Sequence, residues 1–107
     1  LELNRLKIID TGYTLQQKRL EYLNKVRDAY NDWQNTQQQK ALYEKIVQNY
    51  RQLLEAEMTK FELGESSIFL INAREQKWIE AQLKWIKLQA DFQKNRNKVF
   101  WAAGQLP

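Results

Sequence analysis

Histidine and cysteine are absent from this 107-residue chain, proline occurs once and glycine three times. Each shortage removes chemistry. Without histidine or cysteine there is no nucleophilic triad of the usual kinds, no thiolate and no ordinary zinc or haem ligand set. No glycine-rich phosphate loop can be read anywhere in the chain. No catalytic residue, metal ligand or cofactor site is therefore assigned, and an enzyme is not expected. The lack of cysteine is neutral about redox compartment, since it suits a periplasmic chain as well as a cytosolic one. Long hydrophobic runs are missing too. The longest apolar stretch covers residues 68–71, far short of the roughly 20 residues a membrane-spanning helix needs.

What remains is rich in Gln, Glu, Lys, Leu and Ala, the usage of long helices. Hydrophobic residues make up 43% of the chain, yet mean hydropathy is -0.76. Apolar groups are thus always diluted by polar neighbours, as amphipathic helices require. Seventeen basic against 13 acidic residues give a net charge of +4. The basic residues are scattered singly, and only residues 84–98 are locally positive, through Lys84, Lys87, Lys94, Arg96 and Lys98 against Asp91. Such dispersion reads as a solvated helix face and not as a nucleic-acid footprint. The chain opens at Leu1 in mid-pattern without an initiator Met, as expected of a segment cut from a longer protein, with any targeting signal outside it.

Periodicity divides the chain into two helices of unequal length. In the second half Ile71, Trp78, Trp85, Phe92 and Val99 recur at intervals of seven, a heptad seam flanked by Ala81, Leu88 and Ala102. Ile79, Ile86 and Phe100, with Leu83 and Ala90, form a second seam on the same helix. A helix in a simple hairpin needs one apolar stripe, whereas a helix with a neighbour on each side needs two. In the first half Val26, Trp33, Val47, Leu54 and Phe61 lie on one heptad line whose only polar member is Lys40. Ile46, Leu53, Tyr43 and Tyr50 flank that line. Chain reversal near residues 64–67 then predicts Phe61 opposite Ile71, Leu54 opposite Trp78, Val47 opposite Trp85, Lys40 opposite Phe92, and Trp33 opposite Val99.

Three local features qualify this pattern. Residues 34–40, QNTQQQK, carry no apolar side chain and predict a polar, locally bulged helix. Asp10-Thr11-Gly12 predicts a kink, at about 1 kcal/mol for glycine relative to alanine. Lys40 opposite Phe92 is either a cation-π contact or a snorkelling side chain. The ends are marked by Gly64, suited to a left-handed helix-closing residue, by Ser66 or Ser67 as the next cap, and by Gly104 with Pro107 as a second stop. One all-α domain, residues 1–107, follows: a long helix about 1–63, a tip turn about 64–67 and a second helix about 67–103. At 1.5 Å per residue the arms would reach about 90 Å and about 55 Å, leaving an N-terminal overhang of roughly 25 residues.

The stretch KFELGESSIFLINAREQ, residues 60–76, carries a further signal. Together with Tyr50, Leu53, Leu54, Ala56 and Glu57 before it, with Glu80, Ala81, Gln82 and Leu83 after it, and with Ala102, Ala103, Gly104 and Leu106 at the end, it resembles the C-terminal helical repeat of TolC-like outer-membrane efflux proteins. The likeness is strong over residues 41–106 and weaker upstream, at Val26, Arg27, Ala29 and Tyr30. It implies a long antiparallel two-helix coiled-coil hairpin forming part of a periplasmic α-barrel in a homotrimer. The outer-membrane β-barrel of that family would lie outside this chain.

The resemblance also implies that the turn, at Phe61, Leu63, Gly64, Glu65, Ser66 and Ser67, is the periplasmic tip. There a periplasmic adaptor (membrane fusion) protein docks, coupling the channel to an inner-membrane pump. Glu55, Glu57 and Glu62 would stand nearby. On the residues alone, Gly64 and the serines are equally what any interhelical turn demands. The function implied is a passive export conduit in the periplasmic portion of a bacterial outer-membrane protein. Alternatives are a stand-alone coiled-coil interaction module and the hairpin of an adaptor protein, which ordinarily carries lipoyl-like flanking domains.

Overall fold

A computed structural model describes residues 2–104 of the chain. The expected helix start at Leu1, the family-like Leu106 and the stop signal at Pro107 lie outside the described residues. The fold is all-α, a hairpin of two long helices, with no strand among the described residues. α1 runs Glu2–Glu62, 61 residues, and α2 runs Ile68–Gly104, 37 residues. Contacts divide the chain into two compact units. One holds both ends, up to Gln34 and from Lys94, and the other holds residues 35–93.

Neither the glycine at residue 12 nor the polar run at residues 34–40 interrupts the helix, so α1 is unbroken at both of the expected irregularities. Around Gly12, Thr11 and Thr14 donate their hydroxyls to the carbonyls of Lys7 and Asp10, at 2.8 and 3.0 Å. A β-branched hydroxyl residue can bond back this way without leaving helical geometry. In the polar run, Gln34 Nε2 donates to the Tyr30 hydroxyl at 3.1 Å. Thr36, only 7% exposed, packs as a seam residue.

In the unit of residues 35–93 the seam follows the alternating three- and four-residue steps of a coiled coil. From α1 it takes Thr36, Lys40, Tyr43, Val47, Tyr50, Leu54 and Glu57; from α2, Ile71, Trp78, Ala81, Trp85, Leu88 and Phe92. Leu88 is the most enclosed, at 3% exposure, and burying such a side chain stabilises by about 1.5–3 kcal/mol. Register is fixed where Lys40 Nζ lies 4.8 Å from the centre of the Phe92 ring, so the pairing expected there is met as a cation-π contact. The indole Nε1 atoms of Trp78 and Trp85 are buried against the seam without a hydrogen-bond acceptor. Phe61, expected on the seam line opposite Ile71, is exposed, whereas Ile71 itself is buried.

The unit formed by the chain ends has a smaller core. Val26, Ala29, Trp33, Val99 and the buried Ala102 contribute to it. Trp33 meets Phe100 at 6.5 Å between ring centres and packs edge-on against Tyr30 at 6.1 Å, within the range of favourable aromatic pairs. Its ring partner thus lies one residue beyond the expected Val99. Asn95 Nδ2 donates to the Asp32 carbonyl at 3.4 Å. Residues 2–21 are exposed without exception, so Leu6, Tyr13 and Leu20 form an uncovered line. Gly104, expected beyond the last helical turn, is still helical and has no positive φ. The neighbouring Ala102 is packed into the core and holds the last turn in place.

The second seam of α2 faces solvent. Ile79, Leu83, Ile86 and Phe100 are exposed, Ile86 by 55% and Leu83 by 61%, and Ala90 is exposed beside them. Val47, Trp85 and Ile86 continue this stripe as the apolar floor of a surface groove in the unit of residues 35–93, with Glu44, Gln48 and Gln82 on its rim.

Candidate docking site at the interhelical turn

Residues 63–67 connect the helices, and their hydrogen bonds account for the choice of residue at each position. Gly64 has φ +76°, the only positive φ among the described residues, a conformation that costs an L-residue about 1–2 kcal/mol. The Glu65 amide donates to the Lys60 carbonyl at 2.8 Å and the Gly64 amide to the Phe61 carbonyl at 3.0 Å. This pair of bonds is the Schellman closure, which satisfies carbonyls left open by the end of a helix.

Of the two serines weighed as caps, Ser67 is the one used. Its hydroxyl accepts from the Leu70 amide at 3.3 Å, while its carbonyl accepts from the amides of Leu70 and Ile71. No Glu or Gln stands at residue 70, so the reciprocal half of a capping box is missing. Ser66 does something else: its hydroxyl oxygen is buried without a hydrogen-bond partner.

The expected tip residues are brought together here, as any five-residue connection must bring them. Phe61, Leu63, Gly64, Glu65 and Ser67 are exposed and Ser66 is half-buried. Two further apolar side chains join them that the sequence reading left out of the set. Ile68 and Phe69 open α2, and Phe69 is 78% exposed. The signal that identifies them is their phase: both precede Ile71, the first seam residue of α2, and neither lies on its heptad line.

The acids near the turn are not equivalent. Glu55 takes Arg51 as an exposed ion-pair partner at 3.3 Å, and such pairs contribute little. Glu57 is turned into the seam at 6% exposure. Glu62 and Glu65 remain on the surface. The turn is therefore an exposed apolar cap, Phe61, Leu63, Ile68 and Phe69, bordered by two solvent-facing carboxylates. Such a surface can seat another protein's apolar side chains; nothing in it suggests covalent chemistry.

Among the described residues no group of three or more acidic side chains is placed to hold a metal ion, and no helix is long and apolar enough to cross a membrane. The sequence profile of the outer membrane efflux protein family matches residues 10–105. The chain belongs to that family, a family of transport proteins of the bacterial outer membrane. Comparison with curated proteins and with solved structures returns no match.

Proposed function

We propose that this chain is the periplasmic helical hairpin of an outer-membrane efflux channel, one stave in the wall of a passive export conduit. The observation that carries the reading is the uncovered second stripe of α2, Ile79, Leu83 and Ile86. A heptad stripe of this kind, on a helix that already has one partner, calls for another helix on its far side. Membership in the efflux family supplies the assembly in which such neighbours exist: a ring of hairpins closed by three copies of the full-length protein. Solutes would pass along the polar inner wall under the drive of an inner-membrane pump, so solute specificity is not expected in these two helices.

In the same reading the turn is the docking end for a periplasmic adaptor protein. Phe61, Leu63, Phe69 and the carboxylate of Glu65 are the contacting groups, with Gly64 and Ser67 setting the shape of the loop. Cross-linking tests this. The full-length protein carrying Glu65→Cys, expressed with a candidate adaptor bearing single cysteines along its own hairpin, is expected to form a disulfide-linked pair, and a control Glu80→Cys on α2 is not. Cross-linking at Glu80 with none at Glu65 would move the docking surface away from the turn.

A further inference from the structure

In the unit of residues 35–93, α2 is not the only arm with an uncovered apolar line. On α1, Leu42 and Leu53 are 56% and 43% exposed, Ile46 is half-buried, and Asn49 is exposed between them. Residues 42, 46, 49 and 53 advance in steps of four, three and four, and Ile79, Leu83, Ile86 and Ala90 on α2 advance by the same steps. That is the spacing of one coiled-coil face. Each of the four α1 residues immediately precedes a seam residue, Tyr43, Val47, Tyr50 or Leu54, whereas Ile79 and Ile86 immediately follow Trp78 and Trp85. In antiparallel arms this difference puts the two lines on opposite sides of the seam. The grooves agree: Ile79, Leu83 and Ile86 border the one that holds Val47, while Ile46 borders another, with Tyr43, Tyr50 and Lys84.

The two lines also stand at equal heights. The Lys40–Phe92 contact sets the register of the arms. Counting away from it, Leu42 is level with Ala90, Ile46 with Ile86, Asn49 with Leu83 and Leu53 with Ile79. At one end both lines turn polar together, at Gln39 and Gln93. A second hairpin laid alongside, pointing the same way and at the same height, would therefore set each α1 residue against its level partner on the neighbour's α2. Leucine then meets alanine at one end, and two isoleucines meet one turn further on. A slip of one heptad would set Ile46 against Gln93 or, in the other direction, Leu53 against Asn72. A lone Asn in a seam, as Asn49 would be, also specifies register.

We infer that the α1 line Leu42, Ile46 and Leu53 receives the α2 line Ile79, Leu83 and Ile86 of a second copy of this chain, side by side and without axial stagger. The inference rests on the reading of the α2 stripe as a helix-packing face, and it names the helix that packs there. A two-fold pairing of two α2 stripes fits the same spacing, with Ile79 on Ala90 and Leu83 on Ile86, but it leaves Leu42 and Leu53 bare on both copies. The side-by-side joint covers both lines. Its two halves differ, so it is heterologous: every added copy leaves one α1 line and one α2 line open, and assembly goes on until a ring closes or a ribbon grows.

A charge placed on either line tests the joint by sedimentation velocity. Leu53→Glu and Ile86→Glu should each weaken association by about tenfold, the factor that about 1.4 kcal/mol of lost contact gives. Both side chains are exposed, so circular dichroism should not change. An equimolar mixture of the two variants should recover a discrete dimer and nothing larger, because the intact α2 line of the first meets the intact α1 line of the second. The chain has no cysteine of its own, which lets disulfides read the register. Leu53→Cys mixed with Ile79→Cys should link faster on mild oxidation than either variant with itself, and Leu42→Cys with Ile79→Cys, about 16 Å apart in height, should not. Leu53→Glu associating like wild type while Ile86→Glu does not would overturn the joint but keep the α2 stripe as a helix-packing face. A mixture that stays monomeric, or faster linking of residues 42 and 79, would overturn it likewise. A wild-type chain that is monomeric at every concentration would overturn the joint and the reading of the stripe together.

Discussion

Gly64 is the position where one added methyl group should matter most for its size. An ideal Cβ at Gly64 would meet nothing within 4 Å, so Gly64→Ala introduces no clash and its whole effect is conformational. Holding alanine at φ +76° costs about 1–2 kcal/mol. Part is offset because alanine restricts the unfolded chain, by about 0.4–1 kcal/mol. The net expectation is a loss of about 1 kcal/mol. Asn, which tolerates the left-handed region better, should lose less.

Gly12 provides the internal control. It too has open space around a built Cβ, but its φ is not positive and it lies inside α1, so Gly12→Ala should gain about 1 kcal/mol of local helix stability. Urea unfolding at low protein concentration reads the first and far-UV circular dichroism the second. With a slope of about 2 kcal/mol/M, Gly64→Ala should lower the midpoint by roughly 0.5 M, whereas Gly12→Ala, in the uncovered stretch of residues 2–21, should raise helical content and leave the midpoint of the packed hairpin nearly unchanged. A Gly64→Ala protein with a midpoint at or above wild type, with the slope unchanged, would refute the left-handed helix closure on which the description of the turn rests.

Three further outcomes follow from the same contacts. Ser67→Ala should cost about 1 kcal/mol through loss of the cap, whereas Ser66→Ala, which removes a buried hydroxyl without a partner, should be neutral or stabilising; thermal unfolding of the pair distinguishes the serines. Glu57→Leu should raise stability by about 1 kcal/mol or more, since it puts an apolar side chain into a seam position now held by a carboxylate, and an unchanged or lowered urea midpoint would contradict that placement. Ile86→Glu should leave the helical content of the hairpin intact but weaken self-association at high concentration, read by sedimentation velocity; a wild-type chain that stays strictly monomeric would count against a second helix-packing face.

Most of the hairpin could be read from the seven-residue spacing of Trp78, Trp85 and Phe92, because bulky apolar side chains at that interval have no other economical arrangement. The Lys40–Phe92 contact shows that the predicted register holds even at its polar member. Polar residues inside the seam were harder to see. Thr36 and Glu57 read as gaps when hydrophobicity alone is counted, yet the stem of a polar side chain can be buried as readily as an apolar one. At the turn, residue types revealed Gly64, whose φ requirement is strict, but left Ser66 and Ser67 undecided, since only geometry says which hydroxyl reaches the Leu70 amide. Ile68 and Phe69 were missed as members of the exposed cap because an apolar run beside a helix start looks like core. Gly104 misled in the opposite sense: a glycine near a chain end reads as a terminator, while the packing of Ala102 keeps it helical.

The closure of α1 and the capping of α2 leave no slack between them. Every hydrogen bond described at the turn ties a loop residue to the final turn of one helix or the opening turn of the other, and no free tether separates the two. A body gripping Phe69 or Leu63 would therefore pull on rods, not on a string. Force applied there enters the last turn of α1 through the Lys60 and Phe61 carbonyls and the first turn of α2 through Ser67.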